Sequence, residues 1–114
     1  PHQTTTEYTG IAIRALKKFA RKWNVHLIVV AHPAKILRDR EGKTPVPTLY
    51  DIADSAHWYN KPDIGIVIHG EHDERIGDHT AVYVKKSRYH EIIGKPGVVR
   101  LRYITATGRF EAPL

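Results

Sequence analysis

Between Thr4 and Trp23 the apolar positions Tyr8, Ala12, Ala15, Leu16, Phe19 and Trp23 recur every three or four residues, while Arg14, Lys17, Lys18, Arg21 and Lys22 gather on the other side. That is the period of an amphipathic helix, and its apolar stripe is expected to pack on a sheet. Both ends are written in the chain. Thr4-Thr5-Thr6-Glu7 is a capping box with Thr4 as N-cap, and Asn24 tolerates the left-handed conformation that stops a helix. The pattern then changes: Val25 to Ala31 is a nearly unbroken apolar run, short and rich in β-branched residues. Such a run predicts a strand buried on both faces. A helix feeding a buried strand is half of a βαβ unit, so the central strands are expected to be parallel with helices packed on them.

Residues 33–48 are polar and carry Pro33, Pro45 and Pro47, which predicts a long loop. Loops of that length are uncommon unless functional or mobile. A short helix is expected from about Leu49 to Tyr59, broken before Pro62, and then a second apolar strand at Ile64 to Ile68. Gly70 to Asp78 is charged and turn-like. Alternation resumes at 79–87 and 97–104, which predicts an antiparallel pair, with a last short strand at Arg109 to Ala112. Loops are expected at roughly 33–47, 70–78 and 89–96. There is no internal repeat or low-complexity tract, so the expectation is a single α/β domain over 1–114, extended by a C-terminal antiparallel hairpin.

Composition narrows the partners. A length of 114 residues suits one small domain or a fragment of a larger one. A net charge of +6 and a pI near 9.7 favour a polyanion, either nucleic acid or nucleotide phosphate. A membrane surface is disfavoured, because the basic helix keeps its apolar face for a core. Cysteine is absent, which excludes disulfides and thiolate metal sites and agrees with a reducing cytoplasm. No apolar run approaches a membrane span, and no signal-peptide core opens the chain, so a soluble cytoplasmic protein is expected. Methionine is absent even at position 1, from which a piece of something longer is expected.

The candidate chemistry is cationic. Lys86 and Arg88 are two residues apart at the end of a predicted strand, a spacing that places both on one face. A planar Arg fork beside a Lys point charge suits a transferring phosphoryl group, often one bound on a neighbouring subunit; the alternative is a solvated hairpin tip. His32 directly follows the predicted buried strand, at the end where open α/β sheets bind ligands, and either senses a phosphate or caps the strand. Lys35, Arg38, Arg40 and Lys43 crowd the long loop and supply field for single-stranded nucleic acid. Asp51, Asp54 and Ser55 open the second helix, either capping it or letting its backbone amides and Ser55 touch phosphates. Trp58 and Tyr59 stack on bases or fill a core. His69, His72 and His79, with carboxylates between them, match no familiar metal spacing, so no metal site is expected. No Gly-x-x-x-x-Gly-Lys-[Ser/Thr] loop is present, and no elbow surrounds any serine, so the chain alone holds no complete active site.

These pieces stand in a recognisable order. The segments HLIVVAHP, PTLYDIADSAHWYNKPDIGIVIH, AVYVKKSR, GVVRLRYI and TGRFEA resemble the C-terminal part of a RecA-like motor. The family is the DnaB-type replicative helicases, especially the phage and prophage primase-helicases. The resemblance covers nearly the whole chain and is most specific where Lys-x-Arg on a late strand occurs together with the closing Gly-Arg-Phe-Glu. It implies a hexameric ring that hydrolyses ATP with Mg2+ between identical subunits while holding single-stranded DNA, in a bacterial or phage-infected cell. It further implies that Arg88 is the arginine finger, Lys86 its companion, and His32 the γ-phosphate sensor, a position held by Gln or His. Asp51, Asp54 and Ser55 fall on the family's Asp-Leu-Arg-x-Ser-Gly stretch, whose loop faces the DNA. Ala53 stands where that stretch has arginine and Ala56 where it has glycine, which leaves Lys61 and the basic loop as the nearby cations for the DNA contact. The phosphate loop and the acidic magnesium-binding strand are expected upstream of Pro1. A second function class, a stand-alone nucleic-acid-binding or regulatory module with half a RecA-like fold, fits the same charge.

Overall fold

The computed structural model describes residues 4–34, 38–52 and 56–113. The chain divides into two compact units, Pro1–Asp63 and Ile64–Leu114.

The first unit is built on helix α1, Thr5–Trp23. Its capping box forms as the spacing predicts: Thr4 N–H donates to Glu7 Oε2 at 3.0 Å, and Glu7 N–H donates to Thr4 Oγ1 at 3.1 Å. An N-cap of this kind contributes about 1 kcal/mol by satisfying amides that no turn of helix reaches. Asn24 ends the helix in the left-handed region at φ 51°, its N–H directed to the carbonyls of Ala20 and Arg21. The face that α1 buries is not the expected one. Thr9, Gly10 and Ile13 are buried and Lys17 is half-buried, whereas Tyr8, Phe19 and Trp23 are all more than half exposed. At 3.6 residues per turn that buried line lies about a third of a turn around the helix from the apolar stripe. The reason is local packing. Within this unit α1 meets the short helix α2, His57–Asn60. A side chain at position 10 would bring its Cβ within 2.9 Å of His57 Nε2, so Gly10 lets the imidazole lie directly on the helix. Lys17 then reaches over, donating from Nζ to the carbonyl of Lys61 at 2.9 Å and to Asp63 Oδ1 at 3.2 Å.

The helix expected over 49–59 is divided. A 3-10 turn spans Leu49–Asp51 and α2 follows at His57–Asn60, with residues 53–55 between them outside the described residues. Residues 25–34 carry no regular secondary structure, and Ile28 and Val30 are 78% and 87% exposed, so the doubly buried strand expected at 25–31 is not formed. An apolar β-branched run has strand propensity, but a strand exists only when neighbours supply its ladder. All four described strands belong to the second unit.

That unit is an antiparallel meander in the order β1-β2-β3-β4, with β1 Ile64–Asp73, β2 Gly77–Ser87, β3 Gly97–Ile104 and β4 Arg109–Glu111. The α/β class and the C-terminal antiparallel pair are as expected and compatible with part of a RecA-like fold. The pairing of β1 differs. Parallel neighbours need a crossover of a dozen residues or more, whereas only Glu74, Arg75 and Ile76 separate β1 from β2. Asp73 Oδ1 accepts from the N–H of Arg75 at 2.7 Å and of Ile76 at 3.3 Å, and Gly77 supplies the positive φ of 73° that closes the hairpin. The segment 70–78, expected as a loop, is therefore mostly ladder. On one face Val67, His79 and Ala81 are buried; on the other Ile66, Ile68 and Val99 are exposed. Tyr103 and Phe110, directly paired across β3 and β4, pack ring to ring at 5.1 Å.

Candidate functional site

The cationic tip of β2 owes its geometry to a break in register. Gly65 pairs with Lys86, but Ile66 pairs with Val84, so Lys85 is an extra residue opposite β1. Bulges of this kind bend a strand and re-aim the side chains beyond it. Lys85 Nζ lies over the Tyr83 ring at 4.6 Å. Lys86 remains in the strand and is half-buried, while Arg88 stands in the turn just past Ser87 and is exposed. The alternation from which a shared face for Lys86 and Arg88 was expected therefore stops one residue short of Arg88. The bulge was missed; a glycine within the partner strand, Gly65, is its signal in the sequence.

Past β2 the chain makes a single helical turn, α3, His90–Ile93, ended by Gly94 at φ 117°. This replaces the loop expected at 89–96. Arg88, Tyr89, His90, Glu91 and Ile92 line a shallow open groove of about 310 Å3. Ser87 Oγ donates to the carbonyl of Gly94 at 2.7 Å.

In the first unit Arg38, Arg40 and Lys43 ride on one tight turn. Asp39 Oδ1 accepts from the N–H of Glu41 and of Lys43, both at 2.9 Å, the Asp39 N–H donates to the Lys43 carbonyl at 2.8 Å, and Gly42 takes φ 78°. An Asp that bonds its own backbone two residues on, followed by a glycine, is a turn signal that Asp39-Arg40-Glu41-Gly42 carries in full. All three cations are exposed. Lys35, Asp54 and Ser55 lie outside the described residues.

His32 is exposed and follows no strand, so its expected place at the carboxyl end of a sheet is not formed. Two residues on, the Ala34 N–H donates to the carbonyl of Asp51 at 2.6 Å, which brings the segment after His32 to the 3-10 turn. Asp51 serves as a cap: Oδ2 accepts from the Thr48 N–H at 2.7 Å. Tyr59 stacks on Tyr50, with ring centroids 4.6 Å apart and planes at 15°, and so packs against protein in place of a base. Lys61 is the C-cap of α2, its carbonyl taken by Lys17.

Two histidines of the hairpin, His72 and His79, go to carboxylates. His72 Nδ1 is 2.7 Å from Asp78 Oδ1 on the surface. His79 is buried, with Nε2 at 3.2 Å from Glu71 Oε2 and Nδ1 at 3.0 Å from the Gly77 carbonyl. Glu71 also accepts from the Tyr83 hydroxyl and has Arg100 Nε at 3.8 Å. Burial pushes the Glu71 carboxyl up, but the hydrogen bonds from Tyr83 and His79 and the charge of Arg100 outweigh it, so its pKa lies below the ordinary carboxylate value. The same bond to Glu71, reinforced by burial, raises the Tyr83 phenol above its ordinary value. Among the described residues no three of His, Cys, Asp or Glu are grouped as metal ligands are, and no helix is long and apolar enough to cross a membrane.

No family model matches the chain. Against a curated protein, the Twinkle homolog protein, chloroplastic/mitochondrial, of Arabidopsis thaliana, it is 38% identical over 112 residues. The match takes in 96% of this chain and 15% of that protein, so the chain spans less than a sixth of the relative's length. The similarity supports a relationship to the primase-helicases at that coarse level.

Proposed function

We propose that this chain is the C-terminal portion of an ATP-dependent replicative DNA helicase of the primase-helicase type. Arg88 and Lys86 act on the neighbouring subunit's nucleotide in a ring of identical subunits, His32 senses the γ-phosphate on the strength of the family resemblance alone, and the Asp39 turn with Lys35 and Lys61 faces single-stranded DNA. The observation that carries the reading is an exposed Arg88 one residue beyond a bulged strand end holding Lys85, Lys86 and Ser87, in a chain matched almost end to end by the plant protein.

The donor set at this tip is cationic, which suits phosphate oxygens and repels a metal ion, so Mg2+ would be held by other residues than these. ATP supplies the γ-phosphoryl group whose transfer to water drives the motor. The Arg88 fork stabilises the negative charge that grows on that group's oxygens, and Lys86 adds a point charge beside it. With no phosphate loop of its own, the isolated chain neither grips nor turns over nucleotide. The relative is named chloroplastic/mitochondrial, so an organelle joins the bacterial or phage-infected cell as a setting for this function.

The exposed cations of the Asp39 turn favour one other reading, a stand-alone nucleic-acid-binding module. Single-strand DNA binding by the chain at two salt concentrations separates the two. As a motor part the chain binds weakly, and its affinity falls steeply with salt, since each neutralised phosphate releases counterions at a slope of about −0.7 per contact on a log–log plot. Tight binding that persists at physiological salt would favour the module, and no binding at low salt would count against both.

A further inference from the structure

We infer that Ser87 is a positioning residue, a clasp that holds the backbone of Arg88 in place for its action on phosphate; the inference rests on the arginine-finger reading of Arg88. The β2–β3 ladder runs from Thr80↔Leu101 to Val84↔Gly97 and ends there. Residues 85–96 lie beyond it. Over 85–87 the strand is paired with β1 alone, and the bulge at Lys85 interrupts that pairing too. Arg88 thus leaves the sheet where the ladder on one side has ended and the other is irregular.

The turn that follows is closed on itself. The Ile92 and Ile93 N–H groups donate to the Tyr89 carbonyl at 2.9 and 3.0 Å, and the Gly94 N–H donates to the His90 carbonyl at 3.1 Å. These bonds shape 89–94 as one body and do not join it to β2. The Ser87 hydroxyl does, reaching the Gly94 carbonyl at 2.7 Å across the mouth of the loop. Gly94 at φ 117° turns the chain there in a region that side-chain-bearing residues avoid. A ring is closed from Ser87 through Arg88 and α3 to Gly94, and Arg88 is the first residue past the clasp. Fixing both ends of so short a loop removes much of the backbone freedom that Arg88 would otherwise lose on meeting a phosphoryl group. The middle residue of Lys-x-Arg is then part of the device, through its hydroxyl's bond to the Gly94 carbonyl.

The test uses the longer protein that carries this chain. Ser87→Ala removes the hydroxyl, and Ser87→Thr keeps it on a side chain suited to a strand. Ser87→Ala is expected to lower kcat for ATP by roughly 10- to 100-fold, the scale of a misplaced catalytic group, with KM and thermal midpoint little changed, and Ser87→Thr to restore most of it. Arg88→Ala is run alongside. If Arg88→Ala lowers turnover and Ser87→Ala does not, the clasp is wrong while the finger stands. If Ser87→Ala and Ser87→Thr lose activity and thermal stability together, Ser87 is structural only, and the inference is overturned. If Arg88→Ala leaves turnover intact, both fall, because no finger exists to hold.

Discussion

In the helicase proposed above, Arg88→Ala is expected to lower ATP turnover by roughly 10³-fold or more, the size of effect that arginine fingers have on phosphoryl transfer. The fork contributes where charge develops in the transition state, so kcat falls and nucleotide binding suffers far less. Arg88→Lys should rescue poorly, since a point charge does not reproduce two parallel donors. Because the proposed finger acts on a neighbour's nucleotide, mixing Arg88→Ala subunits with subunits lacking the phosphate-loop lysine should recover part of the activity, as interfaces with two intact halves reappear. Turnover near normal in Arg88→Ala, or mixed rings that stay dead, would return this tip to a solvated hairpin end.

The second large effect concerns Glu71. It accepts from Tyr83, lies against His79 and faces Arg100, which joins β1, β2 and β3 through one carboxylate that is mostly buried. Glu71→Ala leaves the His79 ring nitrogen and the Tyr83 hydroxyl without that partner, a loss of roughly 1–3 kcal/mol that a shift in urea midpoint would register. The pKa directions add a pH profile. The Glu71 carboxyl is lowered from 4.5 in the fold, so its stabilisation is complete above that value and is lost as pH falls through the lowered one. The Tyr83 phenol is raised from 10.0, so its contribution is complete below that value and is lost as pH climbs through the raised one. Glu71→Gln should flatten the acid limb and Tyr83→Phe the alkaline limb. Superimposable profiles for wild type and both variants would show that the cluster does not couple to folding.

How much of this could be read in advance varies with the physics at each place. The ends of α1 were legible because Thr4, Glu7 and Asn24 act through their own neighbours, and β3 was legible because Val99 to Tyr103 alternates without interruption. The β1–β2 hairpin was not. Its outer half pairs Gly70 with Thr80 and Glu71 with His79, and a backbone ladder is indifferent to whether its side chains are charged. A charged stretch thus concealed strand, just as an apolar stretch at 25–31 suggested strand that no partner completes. The buried line of α1 escaped notice because Gly10 and Lys17, a glycine and a cation, are what α2 and the chain at Lys61 accept, and no hydrophobic pattern marks them. At the candidate site Arg88 and Lys86 stood out by charge and spacing, but the bulge and the Ser87 bond depend on which residues face each other, and that is set by tertiary register.

The β1-β2-β3-β4 order has a kinetic consequence. Each strand adjoins its predecessor, so the intervals to be closed are residues 74–76, 88–96 and 105–108, all short. Loop-closure entropy grows with the logarithm of length, and contacts between near neighbours in sequence are the ones that form soonest. The hairpins of Ile64–Leu114 can zip from their turns on the microsecond scale of isolated hairpins, about 1–10 μs each, without waiting for any distant segment. In the ring of subunits proposed above, a newly made chain would then carry Arg88 on a finished support before it meets a neighbour, and assembly of that ring, a slower and concentration-dependent step, would join surfaces that are already in shape. Stopped-flow refolding should accordingly show tertiary signal from Tyr83 and Tyr103 preceding any concentration-dependent phase.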